Sequence, residues 1–148
     1  MGAYSRCSVS MTRFDILFET DRFNVSEVKE HFINPCCFGE DLAEWLRQQL
    51  PKKGVSVGAP YQEDWGWEML VQQGSQRYFL GASGYPREGA VDKNDGEWRI
   101  MVEKKRSIWE KLRGKNKIIE TDPILAMIEE ILREQTDVHN INREFMSL

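Results

Sequence analysis

Residues 63–82 read EDWGWEMLVQQGSQRYFLGA, and the fold turns on how their alternation is divided. Trp65, Trp67, Met69 and Val71 alternate with Gly66, Glu68, Leu70 and Gln72, the period of two that marks a strand with one buried face. Gly74 in QQGS supplies the positive φ that a tight reversal needs. Tyr78 and Leu80 then share a face of the returning strand. The stretch predicts an antiparallel hairpin. On a regular strand Trp65 and Trp67 point to one face, which is expected to be core under the helices. In the other reading, the tryptophans and Tyr61 line a groove rimmed by Glu63, Asp64 and Glu68. Such a groove suits a cationic partner through cation–π contact and charge complementarity. The alternation is compatible with both.

Upstream, Phe14, Ile16 and Phe18 alternate with Asp15, Leu17 and Glu19 as a strand. Val25, Val28 and Phe32 have helical spacing in 24–35, and Pro35 ends that segment. GEDLAEWLRQQL (39–50) is a stronger helix, with an apolar stripe of Leu42, Trp45, Leu46 and Leu50 and acids at its positive end. Val55, Val57 and Ala59 then alternate up to Pro60.

Downstream, 83–97 (SGYPREGAVDKNDGE) reads as a long turn-rich loop, with Tyr85, Arg87 and Asp95 as its contact residues. Trp98, Ile100 and Val102 form another strand. Ser107 and Glu110 have capping-box spacing, and Gly114 closes the short helix they begin. Asp122 is an N-cap with Pro123 in the first turn of a helix whose apolar face includes Ile124, Ile128 and Leu132. The tail from 137 shows little periodicity. The order predicts an α+β two-layer sandwich, an antiparallel sheet of about four to five strands packed by two main helices.

The chain has 148 residues, 41% hydrophobic and 30% charged, the balance of one ordinary globular domain over 12–148. Residues 1–11 are expected to be a disordered leader or upstream extension, since Met11 opens the more natural beginning MTRFDILFET. No apolar run approaches the roughly 20 residues that cross a bilayer, and the start has no signal-peptide core. The expected compartment is the cytoplasm, with no membrane association. Three cysteines, with Cys36 and Cys37 adjacent, make no disulfide framework. With His31 and His139 they match no zinc spacing, so no metal or cofactor is expected.

The net charge of −4 is unevenly placed. KKRSIWEKLRGKNK (104–117) carries +6, between −5 in the residues before it and −5 in those after it. This cluster with an embedded Trp109 is the best nucleic-acid candidate in the chain. On a chain of pI 5.3 it is a modest footprint, and nucleic acid is not the expected partner. In a helix over 107–113, Ile108, Trp109 and Leu112 are expected to face inward, leaving the charges as the wet side. The same cluster suits an acidic region of this chain or of a second copy, as in a homodimer.

No catalytic set stands out. Glu63 and Asp64, adjacent on a strand, point to opposite faces and cannot form a carboxylate pair. Cys37 precedes a helix start, where a thiol's pKa falls, but neither histidine is an evident base. The two cysteines are therefore read as small packed hydrophobes. Gly81, Gly84 and Gly89 make no phosphate loop.

With GEDLAEWL (39–46) and YQEDWGWEM (61–69) in place, residues 12–140 resemble small bacterial α+β proteins of unassigned activity. Those proteins carry a Trp-rich acidic strand after a helix of the E-D-x-A-x-W-L type. In size and acidity the chain is also similar to immunity proteins that neutralise bacterial toxins. The resemblance implies the fold class and transfers no functional residue.

The expectation is a non-enzymatic binding protein, immunity- or antitoxin-like, that holds a basic protein partner. Its surface would comprise Tyr61, Glu63, Asp64, Trp65, Trp67 and Glu68, with Tyr85 and Arg87 from the loop. The alternative is a small-molecule binding or sensing domain with a pocket between sheet and helices, lined by Trp65, Trp67 and Tyr78.

Overall fold

A computed structural model describes residues 12–147; the leader expected over 1–11 lies outside them. The elements run β1 (Thr12–Thr20), α1 (Glu40–Gln49) with a 3-10 turn (Leu50–Lys53), β2 (Ser56–Val57), β3 (Tyr61–Glu63), β4 (Gly66–Gln73) and β5 (Gln76–Pro86). Then follow β6 (Gly96–Lys104), α2 (Ile108–Arg113), α3 (Pro123–Arg133) and β7 (Val138–Ser147). The strands form one antiparallel sheet in the order β2-β4-β5-β6-β1-β7, with β3 also on β4. β2 and β3 divide the outer edge of β4 between them, and the Gly58 amide donates to the Leu70 carbonyl (2.9 Å) in the gap.

One sheet face carries Phe14, Ile16, Phe18, Trp67, Met69, Tyr78, Leu80, Trp98, Ile100 and Val102. Leu42 and Leu46 of α1 and Ile124, Ile128 and Leu132 of α3 close over it in one continuous core. Each such side chain stabilises the fold by about 1.5–3 kcal/mol relative to exposure. Among the described residues no helix covers the opposite face, which carries Arg13, Asp15, Glu68, Phe79, Gly81, Arg99, Met101 and Glu103.

The mixed α and β composition and the antiparallel sheet agree with the sequence reading, but seven strands among the described residues replace the expected four to five. β3 is a three-residue edge strand. β7 was hidden because a bulge at Asn140, with φ of 57°, breaks its alternation. The helix expected over 24–35 does not form. There the Asn24 side chain accepts from the Ser26 and Glu27 amides (3.1 and 2.9 Å), a local turn that competes with helix.

The loop expected over 83–97 shrinks, because β5 continues to Pro86 and β6 starts at Gly96. Gly84 permits this: a Cβ there would lie 2.4 Å from the Trp98 ring that packs against it. Arg87 and Asp95 pin the shortened loop at its base through backbone and side-chain bonds.

The short helix α2 has the expected capping box between Ser107 and Glu110 and ends on Gly114 in the left-handed region. Its apolar residues do not face inward. Ile108, Trp109 and Leu112 are 73%, 68% and 56% exposed.

Candidate functional site

Trp65 and Trp67 do not share a face. β4 begins at Gly66, whose φ of 158° and tight approach to the Ala82 carbonyl (2.4 Å from where a Cβ would be) admit only glycine. The backbone change there breaks the alternation, leaving Trp65 in the β3–β4 turn. Trp67, 6% exposed, enters the core and donates from Nε1 to the Cys37 carbonyl (3.3 Å). Trp65 stays 39% exposed and its ring lies on the open face over Gly81. Trp67 thus belongs to the core, whereas Trp65 lies on the opposite sheet face.

A groove of about 400 Å3 opens beside Trp65. Phe79, Gly81 and Met101 line it with Trp65, and Arg13, Glu68 and Glu103 supply its charges. Tyr61 lies across the strand pair from Glu68 and Glu63 across from Gly66, so both belong to the same open face at the sheet edge. The Tyr61 hydroxyl interacts with the Glu68 carboxylate. Asp64 sits in the turn, accepting from Asn34 Nδ2 (3.3 Å).

Burial raises the pKa of Glu68 above the ordinary carboxylate value, and the neighbouring Glu63 and Glu103 raise it further. Burial also raises that of Glu103, against the opposing pull of Lys111, Arg13 and Arg106. Burial and the charges of Glu68 and Glu63 raise Tyr61, so its hydroxyl stays protonated as a donor. Among the described residues neither Glu68 nor Glu103 has a salt-bridge partner.

The arginine at the groove wall is committed elsewhere. Arg13 Nε donates to Asp15 Oδ1 (2.9 Å), and Arg99 holds the other oxygen of the same carboxylate. Asp15 is fully buried on the open face under these two guanidiniums. The groove therefore presents two aromatic rings, a methionine and two carboxylates that form no salt bridge among the described residues, a set that fits a cationic side chain with an apolar stem.

The remaining expected residues lie apart from the groove. Tyr85, 58% exposed, is on the open face but four residues along β5 from Gly81, roughly 13 Å away at strand rise. Arg87 is taken up by Asp95. Trp65, Trp67 and Tyr78 do not line one pocket, since Tyr78 is in the core, donating to Asp122 Oδ1 (2.8 Å). Cys36 and Cys37 are bonded to each other, so neither offers a free thiol, and Cys37 Sγ rests 2.9 Å from the Asp64 carbonyl oxygen.

Arg13, Phe79, Gly81, Met101 and Glu103 escaped the sequence reading of the site. A glycine inside a strand pattern, as at Gly81, signals close approach of another group and was the one available clue. Among the described residues there is no cluster that could hold a metal ion, and no helix is long and apolar enough to cross a membrane.

Fold and groove together define an α+β protein with one helix-covered and one open sheet face, the open one bearing an acidic aromatic depression. Compared with protein families, curated proteins and solved structures, the chain matches none.

Proposed function

We propose that the chain is a non-enzymatic, cytoplasmic binding protein of the immunity or antitoxin kind, whose open-face groove receives a lysine or arginine of a protein partner. The observation that carries this reading is the pair Glu68 and Glu103, partly buried and without a salt bridge among the described residues, in one groove with the ring of Trp65. Burial still raises both carboxyl pKa values despite the cations that act on Glu103, so the ionised forms cost stability, and an incoming cation reduces that cost. Glu63 on the same face and Asp64 in the adjoining turn add to the negative field that speeds encounter with a basic protein. The small-molecule alternative has less support, because Trp65 and the Trp67–Tyr78 pair lie on opposite faces of the sheet.

The test is a fluorescence titration with lysine- and arginine-rich peptides, using Trp65→Phe to assign the signal. Quenching that disappears in the Glu68→Lys, Glu103→Lys double variant supports the reading. Equal affinity in that variant refutes it. Crosslinking in lysate of the source cell would then show whether the natural partner meets the same residues.

A further inference from the structure

The +6 segment 104–117 carries the most exposed apolar cluster of any helix among the described residues. α2 has no buried residue, yet it is capped at both ends, by Ser107 and Glu110 at one and by Gly114 at the other. Capping holds in shape a helix that packing does not. Ile108, Trp109 and Leu112, spaced i, i+1 and i+4, form its apolar side. Leaving three such side chains in water forgoes about 1.5–3 kcal/mol each. A contiguous apolar patch with a charged rim marks an interaction surface.

The cations divide into two sets. Lys104 Nζ is held by Asp122 (3.5 Å), Lys105 Nζ lies over the Phe79 ring (6.0 Å), and Arg106 donates to the Lys115 carbonyl (3.0 Å). Lys111 and Arg113 flank the apolar trio, with the Arg113 guanidinium over Trp109 (5.8 Å). This is a mixed apolar and cationic knob more than a phosphate grip. The chain outside 104–117 carries −10, which repels a polyanion.

Such a knob is the chemistry that the groove of Glu68, Glu103, Trp65 and Phe79 selects. Knob and groove are also neighbours on one side of the molecule, since Lys105 overlies Phe79 and the charges of Lys111 and Arg106 act on Glu103. We propose that the partner of α2 is a second copy of this chain. A twofold axis passing between knob and groove seats each α2 on the other copy's groove, a reciprocal contact that closes the assembly at two. The proposal rests on the groove reading above and names one occupant for it. A larger basic partner would then compete with the second copy for the groove.

Sedimentation equilibrium of the full chain is the first measurement. The expected result is a dimer at micromolar to submillimolar concentration, weakened by salt. Ile108→Asp with Leu112→Asp should give a folded monomer, as both side chains are mostly exposed and neither belongs to the core. Glu68→Lys with Glu103→Lys should also give a monomer, as should Lys111→Glu with Arg113→Glu. Mixing the last two variants restores both charge pairings and should recover a heterodimer.

Wild-type protein that stays monomeric throughout this range, or a dimer indifferent to the α2 substitutions, overturns the proposal. A synthetic peptide of 104–117 added to the Ile108→Asp, Leu112→Asp variant separates the two readings. Peptide binding that Glu68→Lys abolishes, beside a monomeric wild type, would leave the groove reading standing and remove the second copy. Absence of peptide binding and of dimer would remove both. A monomer that binds single-stranded DNA or phosphatidylserine vesicles through α2 would likewise overturn the second copy as its occupant.

Discussion

The Trp65 indole lies over Gly81 so closely that a Cβ on Gly81 would sit 2.7 Å from its Cη2 atom and 2.8 Å from Cζ3. Met101 Cε approaches the same point from the other side, at 3.1 Å. The glycine is the seat on which the groove's main ring rests. The ring lines the same groove as Glu68 and Glu103, whose partial burial raises both pKa values, with Glu63 and Glu103 raising Glu68 further.

Gly81→Ala should therefore remove the groove while keeping the fold. Overpacking costs about 1–3 kcal/mol, and alanine recovers about 0.5–1 kcal/mol of the entropy that glycine forfeits in a strand. The expected outcome is a small loss of Tm, a red shift and greater acrylamide quenching of Trp65, and weaker binding of cationic peptides. A variant with unchanged emission and affinity would show that the ring does not depend on this seat.

Asp15 links stability to the groove's charge. Arg13 and Arg99 bind its two oxygens, and hydrogen bonds between charged groups contribute about 1.5–3 kcal/mol each when buried. Both guanidiniums retain solvent contact, so their release is partly compensated and Asp15→Ala should cost about 2 kcal/mol in urea unfolding. The freed Arg13 lies at the groove wall beside Glu103 and would neutralise it. Affinity for cationic peptides should thus fall with stability, whereas Arg99→Ala should lower stability alone.

Asp122 ties the last long helix to the hairpin. It caps α3 by accepting from the Ile124 amide (3.3 Å), and it accepts the buried Tyr78 hydroxyl (2.8 Å). Asp122→Ala removes a cap worth about 1 kcal/mol and leaves the phenol without its partner, a further cost of about 1–3 kcal/mol. Tyr78→Phe deletes the hydroxyl itself and should cost less, about 1 kcal/mol. Equal losses for the two variants in denaturant titrations would contradict this division.

Much of the architecture could be read from spacing, because the core strands have one face to bury and the longer helices one stripe. The alternation of Phe14–Phe18, Trp67–Val71 and Trp98–Val102, and the caps at Ser107 and Asp122, all appear where periodicity and turn chemistry place them. Edge elements were less legible. β7 pairs on one side only, so its pattern is not forced, and the Asn140 bulge shifts it further. For the site, Tyr61, Glu63 and Glu68 were legible because they border one strand pair, whereas Glu103, Phe79 and Arg13 reach the groove through pairings distant in sequence. The displacement of Trp65 from Trp67 was invisible, since it depends on the backbone conformation of Gly66 rather than on side-chain pattern.

The raised carboxyl pKa values give stability and binding opposite responses to pH. Folded Glu68 and Glu103 hold their protons above the ordinary 4.5, where the unfolded chain has released them. The folded state then binds more protons than the unfolded one, and stability falls as pH rises from that ordinary value through the raised ones. Glu68→Gln and Glu103→Gln remove the penalty, so each should raise Tm at neutral pH and flatten the pH profile in that window. A cationic side chain in the groove favours the ionised carboxylates, so its binding releases protons and its affinity should rise with pH over the same window. The glutamine variants should lose that rise along with most of the affinity. Paired measurements of Tm and peptide affinity across the mildly acidic range test this directly: parallel trends, or glutamine variants less stable than wild type at neutral pH, would mean that the two carboxylates are satisfied within the fold and are not held for a partner.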